Sequence, residues 1–135
     1  MRILVAEDDF ASRTMLQRFL EDYGDVDVVI NGAEAVSAFT LALENNQPYS
    51  IVCLDVMMPE MDGLTALGKM RIKEKSMKIT SENEAKIIIT TALDFLQNYH
   101  TTSRNRLVRC NDYIIKPIDL EKMAEILEKY GVSKE

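Results

Sequence analysis

Cysteine and histidine are scarce in this chain, and no run of residues is apolar enough to cross a membrane. Its 135 residues include two cysteines and one histidine. Two cysteines do not make a disulfide framework. Cys53 lies inside an apolar run and Cys110 in a polar connection, so both read as reduced thiols of a cytoplasmic protein. The lone His100 offers no metal set and reads as an exposed bystander. No apolar stretch approaches the roughly 20 residues of a membrane span, and Met1-Arg2-Ile3-Leu4-Val5 passes straight into a strand pattern, not a signal peptide. Basic charge is also short: the net charge is −6 with no basic stripe, which argues against direct nucleic-acid binding. A Walker-type glycine loop, internal repeats and low-complexity segments are all lacking. What remains, 47% hydrophobic and 28% charged, is the composition of one globular domain, residues 1–135, long enough for a single buried core.

The stretch that organises the rest is residues 50–63, Ser-Ile-Val-Cys-Leu-Asp-Val-Met-Met-Pro-Glu-Met-Asp-Gly. Ile51 to Leu54 is an apolar run short enough for a strand buried on both faces of a parallel sheet, and it ends in a carboxylate, Asp55. Asp62-Gly63 then opens a helix. Before it, Ile3 to Ala6 form a strand followed at once by Glu7-Asp8-Asp9. Met15, Leu16, Phe19, Leu20 and Tyr23 recur at helical spacing, with Gly24 as a left-handed cap. Val26 to Ile30 is a second strand, turned by Asn31-Gly32, and Ala35, Val36, Phe39, Ala42 and Leu43 stripe a second helix. After a third helix carrying Leu64, Leu67 and Met70, the polar residues 72–85 read as a long solvated connection. Ile87 to Thr90 is a fourth strand ending in Thr91-Ala92. Ile114-Ile115 lie in a fifth, ending in Lys116-Pro117, and Leu120, Met123, Ala124 and Leu127 stripe the last helix. Segment 94–109, with Thr101-Thr102-Ser103-Arg104-Asn105 at its centre, reads as a short, frayed helix. Strands alternating with helices imply a parallel sheet with helices on both faces.

Chemistry in such sheets gathers at the carboxyl ends of the strands. Those ends supply Glu7 and Asp8, Asp55, Thr91, and Lys116. If the first and third strands are neighbours, three carboxylates share one cleft, each pair repelling by ~1 kcal/mol in water and ~4 kcal/mol near a protein surface at ~4 Å. A cation offsets that cost, and a hard divalent ion such as Mg²⁺ fits oxygen ligands. A carboxylate nucleophile, a divalent ion, an ammonium and a hydroxyl together suit phosphoryl transfer. Singly, each residue has a plainer reading: Glu7, Asp8 and Asp9 as helix-capping acids, Lys116 as a surface lysine, Tyr113 as core packing. Their joint occurrence outweighs these.

With an acidic pair after the first strand, Asp55-x-x-Met58-Pro59-x-Met61-Asp62-Gly63 after the third, Thr91-Ala92 after the fourth and Lys116-Pro117 after the fifth, the chain resembles the receiver domain of two-component response regulators, of the single-domain kind that serves chemotaxis. The resemblance implies an α/β, flavodoxin-like, doubly wound five-stranded parallel sheet of order 2-1-3-4-5 with five helices in three layers. It implies phosphorylation of Asp55 by a histidine kinase or histidine phosphotransfer protein. Mg²⁺ (or Mn²⁺) would be held by Glu7, Asp8, Asp55 and the backbone carbonyl of Met57, with Asp9 the alternative to Glu7. Thr91 and Lys116 would contact the phosphoryl group, Tyr113 would be a rotamer switch coupled to Thr91, and Lys116–Pro117 would be cis. The protein would be a signalling protein, assisting only its own phosphorylation and dephosphorylation, whose surface of fourth helix, fifth strand and fifth helix changes for an unknown downstream protein target.

Three departures stand beside the match. The stretches between Gly63 and Lys86 and between Ala92 and Tyr113 are longer than usual, and Cys110-Asn111-Asp112 replaces a customary Gly-Ala. Met57 and Leu93, two residues beyond Asp55 and Thr91, are apolar, which predicts slow self-dephosphorylation. Other readings are a flavodoxin, which lacks support because Glu7-Asp8-Asp9 would repel a phosphate, and a haloacid-dehalogenase-type phosphatase, which needs an acid where Met57 stands. A pseudo-receiver acting as a phosphorylation-independent interaction module, or a phosphate shuttle or sink, are the alternatives to a stand-alone signalling receiver.

Overall fold

A computed structural model describes residues 1–92 and 109–135. Five strands run β1 (Arg2–Ala6), β2 (Asp25–Val29), β3 (Ile51–Asp55), β4 (Lys86–Thr91) and β5 (Asp112–Ile115). All neighbours pair in parallel in the order β2-β1-β3-β4-β5. The helices among the described residues are α1 (Phe10–Leu20), α2 (Gly32–Glu44), α3 (Gly63–Ser76) and α4 (Leu120–Lys129). These are four of the five expected, and the frayed helix anticipated within 94–109 falls, but for Arg109, outside the described residues.

Strand alternation sorts the core into two layers. Leu4, Ala6, Val52, Leu54, Ile87 and Ile89 face one side and pack with α2 and α3 through Phe39, Leu67 and Met70. Ile3, Val5, Ile51, Cys53, Ile88 and Ile114 face the other and meet Leu16 and Leu20 of α1 and Met123, Ile126 and Leu127 of α4. Both faces of β1, β3 and β4 are covered, so apolar runs there are continuous. Each helix is opened by a side chain that satisfies an otherwise unpaired backbone N–H: Asp9 accepts from Ser12 N, Asn31 from Glu34 N, Asp62 from Thr65 N and Asp119 from Glu121 N. Glu34 answers Asn31 by accepting from Ile30 N at 3.1 Å, so Asn31-Gly32 opens α2 as well as turning the chain.

Two local expectations are corrected. Gly24 is not a left-handed cap: α1 closes at Glu21 in right-handed conformation, and among the described glycines only Gly131 has positive φ. Gly24 is small because a Cβ there would lie 2.4 Å from the carbonyl oxygen of Met1. Residues 72–85 are not one solvated connection either. α3 continues to Ser76, and Glu74 is 1% exposed because Arg71, one turn earlier, meets it at 2.8 Å.

Candidate functional site

The register of the sheet carries the expected strand ends to one edge. β1 lies between β2 and β3, pairing Ala6 with Leu54, so Glu7 and Asp8 emerge beside Asp55. Asp55 pairs with Thr90, and Thr91 with Ile115, which brings Thr91 and Lys116 to the same edge. Lys116 N donates to Thr91 O at 2.7 Å, tying the ends of β4 and β5 together. The Lys116–Pro117 peptide is cis.

The turn after β3 has a built shape. Met61 N donates to Pro59 O at 2.7 Å around Glu60, whose φ of 67° is left-handed. Gly63 N donates to Val56 O, and a Cβ on Gly63 would stand 2.1 Å from the carbonyl oxygen of Asp55. Gly32 N donates to Met61 O, where a Cβ would again approach to 2.1 Å. These two glycines let the turn fold back over Asp55 and dock on the start of α2. Arg13 braces the other acidic turn, its guanidinium donating to Glu7 O at 3.0 Å and Asp8 O at 3.3 Å.

Glu7, Asp8 and Asp55 each place a carboxylate oxygen within 4.8 Å of the others. Glu7 and Asp55 are buried, at 1% and 4% exposure, while Asp8 opens to solvent. Lys116 Nζ lies 2.8 Å from Glu7 Oε1 and 3.2 Å from Asp55 Oδ2. Burial, and then the contact with Glu7 and its like charge, push the Asp55 carboxyl up to about 7, against the opposing pull of Lys116. Burial alone would lower the Lys116 ammonium, but the close contact with Glu7 and the charges of Asp55 and Glu7 outweigh it, and the net shift is upward. No donor among the described residues meets Glu7 Oε1 with hydrogen-bond geometry, although the ammonium is in contact. A buried oxygen with spare acceptor capacity beside two further carboxylates is a donor set that fits a hard divalent cation. Asp9, the alternative ligand, instead caps α1, and its bond with Ser12 lowers its carboxyl below the ordinary range.

Thr91 is buried, and among the described residues its hydroxyl makes only a marginal 3.5 Å contact with Ala92 O. Tyr113 is 44% exposed and Met57 65% exposed. Leu93 lies outside the described residues. Three residues to which sequence reasoning gave no role act at the opposite edge of the sheet, where β4 and β5 begin. Arg71 donates to Arg109 O, Ala85 O and Asn111 Oδ1, while Asn111 Oδ1 also accepts from Ile87 N. Glu74 accepts from Ala85 N at 2.8 Å. Together they fix where β5, which carries Tyr113 and leads to Lys116, enters the sheet. Only the helical spacing of Arg71 and Glu74 hinted at this pair.

Comparison with known proteins agrees with this geometry. A model of the response regulator receiver domain matches residues 3–128. Chemotaxis protein CheY of Listeria monocytogenes is 33% identical over 132 residues, covering 96% of this chain and 97% of CheY. Hybrid signal transduction histidine kinases L and B of Dictyostelium discoideum are 30% and 33% identical, but the chain spans only 7% and 6% of their lengths. Among solved structures, response regulator TrrA of Thermotoga maritima, in complex with Mg²⁺ and BeF, superposes with a TM-score of 0.72 at 27% identity, covering 96% of this chain and 97% of that one. The same fold appears, with a TM-score of 0.75 at 24% identity over 97% of this chain and 88% of that one, in the co-crystal structure of the yeast Saccharomyces cerevisiae phosphotransfer protein Ypd1 with the receiver domain of Ssk1. With the acidic cluster, the strand-end threonine and the lysine all assembled at one sheet edge, the chain belongs to the response regulator receiver domain family.

Proposed function

We propose that the protein is a stand-alone receiver that accepts a phosphoryl group on Asp55 from a histidine kinase or histidine phosphotransfer protein, with Mg²⁺ held by Glu7, Asp8, Asp55 and the Met57 carbonyl. The observation that carries this reading is the cluster itself: three carboxylates within 4.8 Å, two of them buried and bridged by one ammonium. Asp55 stands at the carboxyl end of the central strand, and its carboxylate is the group that would attack phosphorus. Bound there, a divalent ion would neutralise charge on the transferring oxygens. Lys116 supplies a fixed positive charge opposite, and the Thr91 hydroxyl, weakly engaged, is available to donate to a phosphoryl oxygen.

Phosphorylation would replace one negative charge with about two and add three acceptor oxygens. Thr91 would turn toward them, leaving room for the exposed Tyr113 ring to move inward. The surface of β5 and α4 would then be read by a downstream protein. The likeness to CheY supports a signalling role, and the Ypd1 co-crystal structure supports a phosphotransfer donor for the fold. No helix among the described residues is long and apolar enough to cross a membrane.

Intact-mass spectrometry after incubation with Mg²⁺ and acetyl phosphate tests this. One phosphoryl adduct is expected, lost in Asp55→Asn and without Mg²⁺. No adduct from acetyl phosphate or from a phosphorylated histidine donor would favour a pseudo-receiver.

A further inference from the structure

α3 and the turn after it gather positive charge in a chain that is otherwise acidic. Residues 69–78 hold Lys69, Arg71, Lys73, Lys75 and Lys78 against a single acid, Glu74, while the whole chain carries −6. Arg71 and Glu74 neutralise each other in the interior, and Lys73 reaches Glu44 at 3.6 Å. Lys69, Lys75 and Arg109 are exposed and, among the described residues, form no ion pair. Two hollows adjoin on this flank. One, of about 190 Å³, is walled by Gly68, Lys69, Ile72 and Arg109, and Ile72 is 60% exposed. The other, of about 300 Å³, is walled by Arg71, Lys75, Arg109 and Glu84, three cations to one carboxylate. Gly68 stands within α3, where glycine weakens a helix. Its side-chain position is not crowded: a Cβ there would lie 3.6 Å from Arg109 Nη1, an ordinary contact. Packing among the described residues therefore does not demand glycine. What it leaves is an open floor beside an exposed isoleucine, rimmed by cations.

We propose that this flank of α3 docks an acidic segment of a partner protein that carries an apolar side chain between carboxylates. The apolar side chain settles on Gly68 against Ile72. Carboxylates on either side of it meet Lys69 at one end and Lys75 with Arg109 at the other. Lys69 and Lys75 are separated by about 9 Å of helix rise, the reach of roughly three residues of extended chain. A short segment fits better than an extended polyanion. A bilayer or nucleic acid would feel the −6 of the whole molecule, whereas a segment seated in the hollows meets these cations within a Debye length of about 8 Å. α3 packs on the other face of the sheet from α4, so this surface is separate from the one proposed to respond to phosphorylation. It does not depend on Asp55.

A random dodecapeptide library displayed on phage, panned against the full chain, tests this. Enriched peptides are expected to carry Asp or Glu on both sides of an aliphatic or aromatic residue. Their synthetic copies should shift the amide NMR signals of residues 68–76. A Lys69→Glu, Lys75→Glu double variant should bind them roughly ten-fold more weakly, through like-charge repulsion. Both positions are exposed, so that variant should melt close to the unsubstituted protein. Gly68→Leu, which fills the floor and leaves every charge in place, should weaken the same peptides by a similar factor. If Gly68→Leu does not fold, the charge variant decides alone. No enrichment, enrichment of neutral or basic peptides, or acidic peptides whose binding survives the charge reversal would each overturn the proposal. So would dimerisation of the full chain that the double variant abolishes, which would make a second copy the occupant. Sedimentation with phosphatidylserine vesicles that the double variant abolishes would overturn it in favour of a membrane surface.

Discussion

Tyr49 donates its hydroxyl to Asp27 at 2.6 Å while the guanidinium of Arg2 lies 4.4 Å from its ring centroid. Burial first, then the bond to Asp27 and its charge, push the phenol up to about 12, with Arg2 opposing. The unfolded chain loses this proton near its ordinary value of 10, before the native state does. Between about pH 10 and 12 the native state therefore binds more protons, and stability falls as pH rises. The urea midpoint of the unsubstituted protein should drop more steeply across that window than that of Tyr49→Phe. Parallel declines would mean that Tyr49 contributes nothing to the pH dependence. A second residue-scale expectation concerns Met57, which is 65% exposed and has no polar group to orient an attacking water. A Met57→Asn, Leu93→Glu double variant, once phosphorylated, should lose its phosphoryl group faster than the unsubstituted protein, as followed by intact mass against time. An unchanged decay would detach lifetime from these positions.

At the scale of elements, α3 is the unusual member. Its last turn carries Lys73 and Lys75, cations suited to a helix carboxyl end, but also the buried Glu74. Arg71 spends its donors on Glu74, Ala85 O, Arg109 O and Asn111 Oδ1, joining α3, the start of β4 and the start of β5. Asn111 N donates to Ile87 O and its Oδ1 accepts from Ile87 N, so this side chain continues the β4–β5 ladder where backbone alone would stop. The pair occupies the place of the longer stretches noted in the sequence. Arg71→Met would leave Glu74 buried without its counter-charge and three acceptors short of donors. Loss of one member of a buried pair costs about 3–5 kcal/mol. Urea unfolding should show a loss of that size with little change in slope. A loss within about 0.5 kcal/mol, as for ordinary surface changes, would show that the network is not structural.

For the molecule as a whole, the net charge of −6 and the crowding of carboxylates at one sheet edge mean that the native state is held partly against its own repulsion. An ion that binds only the folded chain stabilises it by mass action, about 2.7 kcal/mol at a hundred times its Kd. Added Mg²⁺, at matched ionic strength, should therefore raise the thermal midpoint of the unsubstituted protein and leave that of Asp8→Asn almost unmoved. Equal shifts in both would assign the effect to general screening.

The alternation of apolar runs and helical stripes was enough to place the five strands and the four described helices along the chain, while the order of strands across the sheet came from the family resemblance. The position of each strand's end followed from the same periods, so Glu7, Asp8, Asp55, Thr91 and Lys116 were legible as one set before any coordinates. Local signals were weaker where packing decides. Gly24 invited a conformational reading, whereas close approach to Met1 is what keeps it small. Ile126 fills the core of α4 more completely than the expected Ala124. Charge pattern placed Glu74 in solvent, because no local rule reveals that Arg71 and the start of β5 will close over it. How Lys116 divides itself between Glu7 and Asp55 also belongs to the tertiary structure. Its position depends on parallel pairing of strands far apart in the chain, and on burial that turns two carboxylates into competitors for one ammonium.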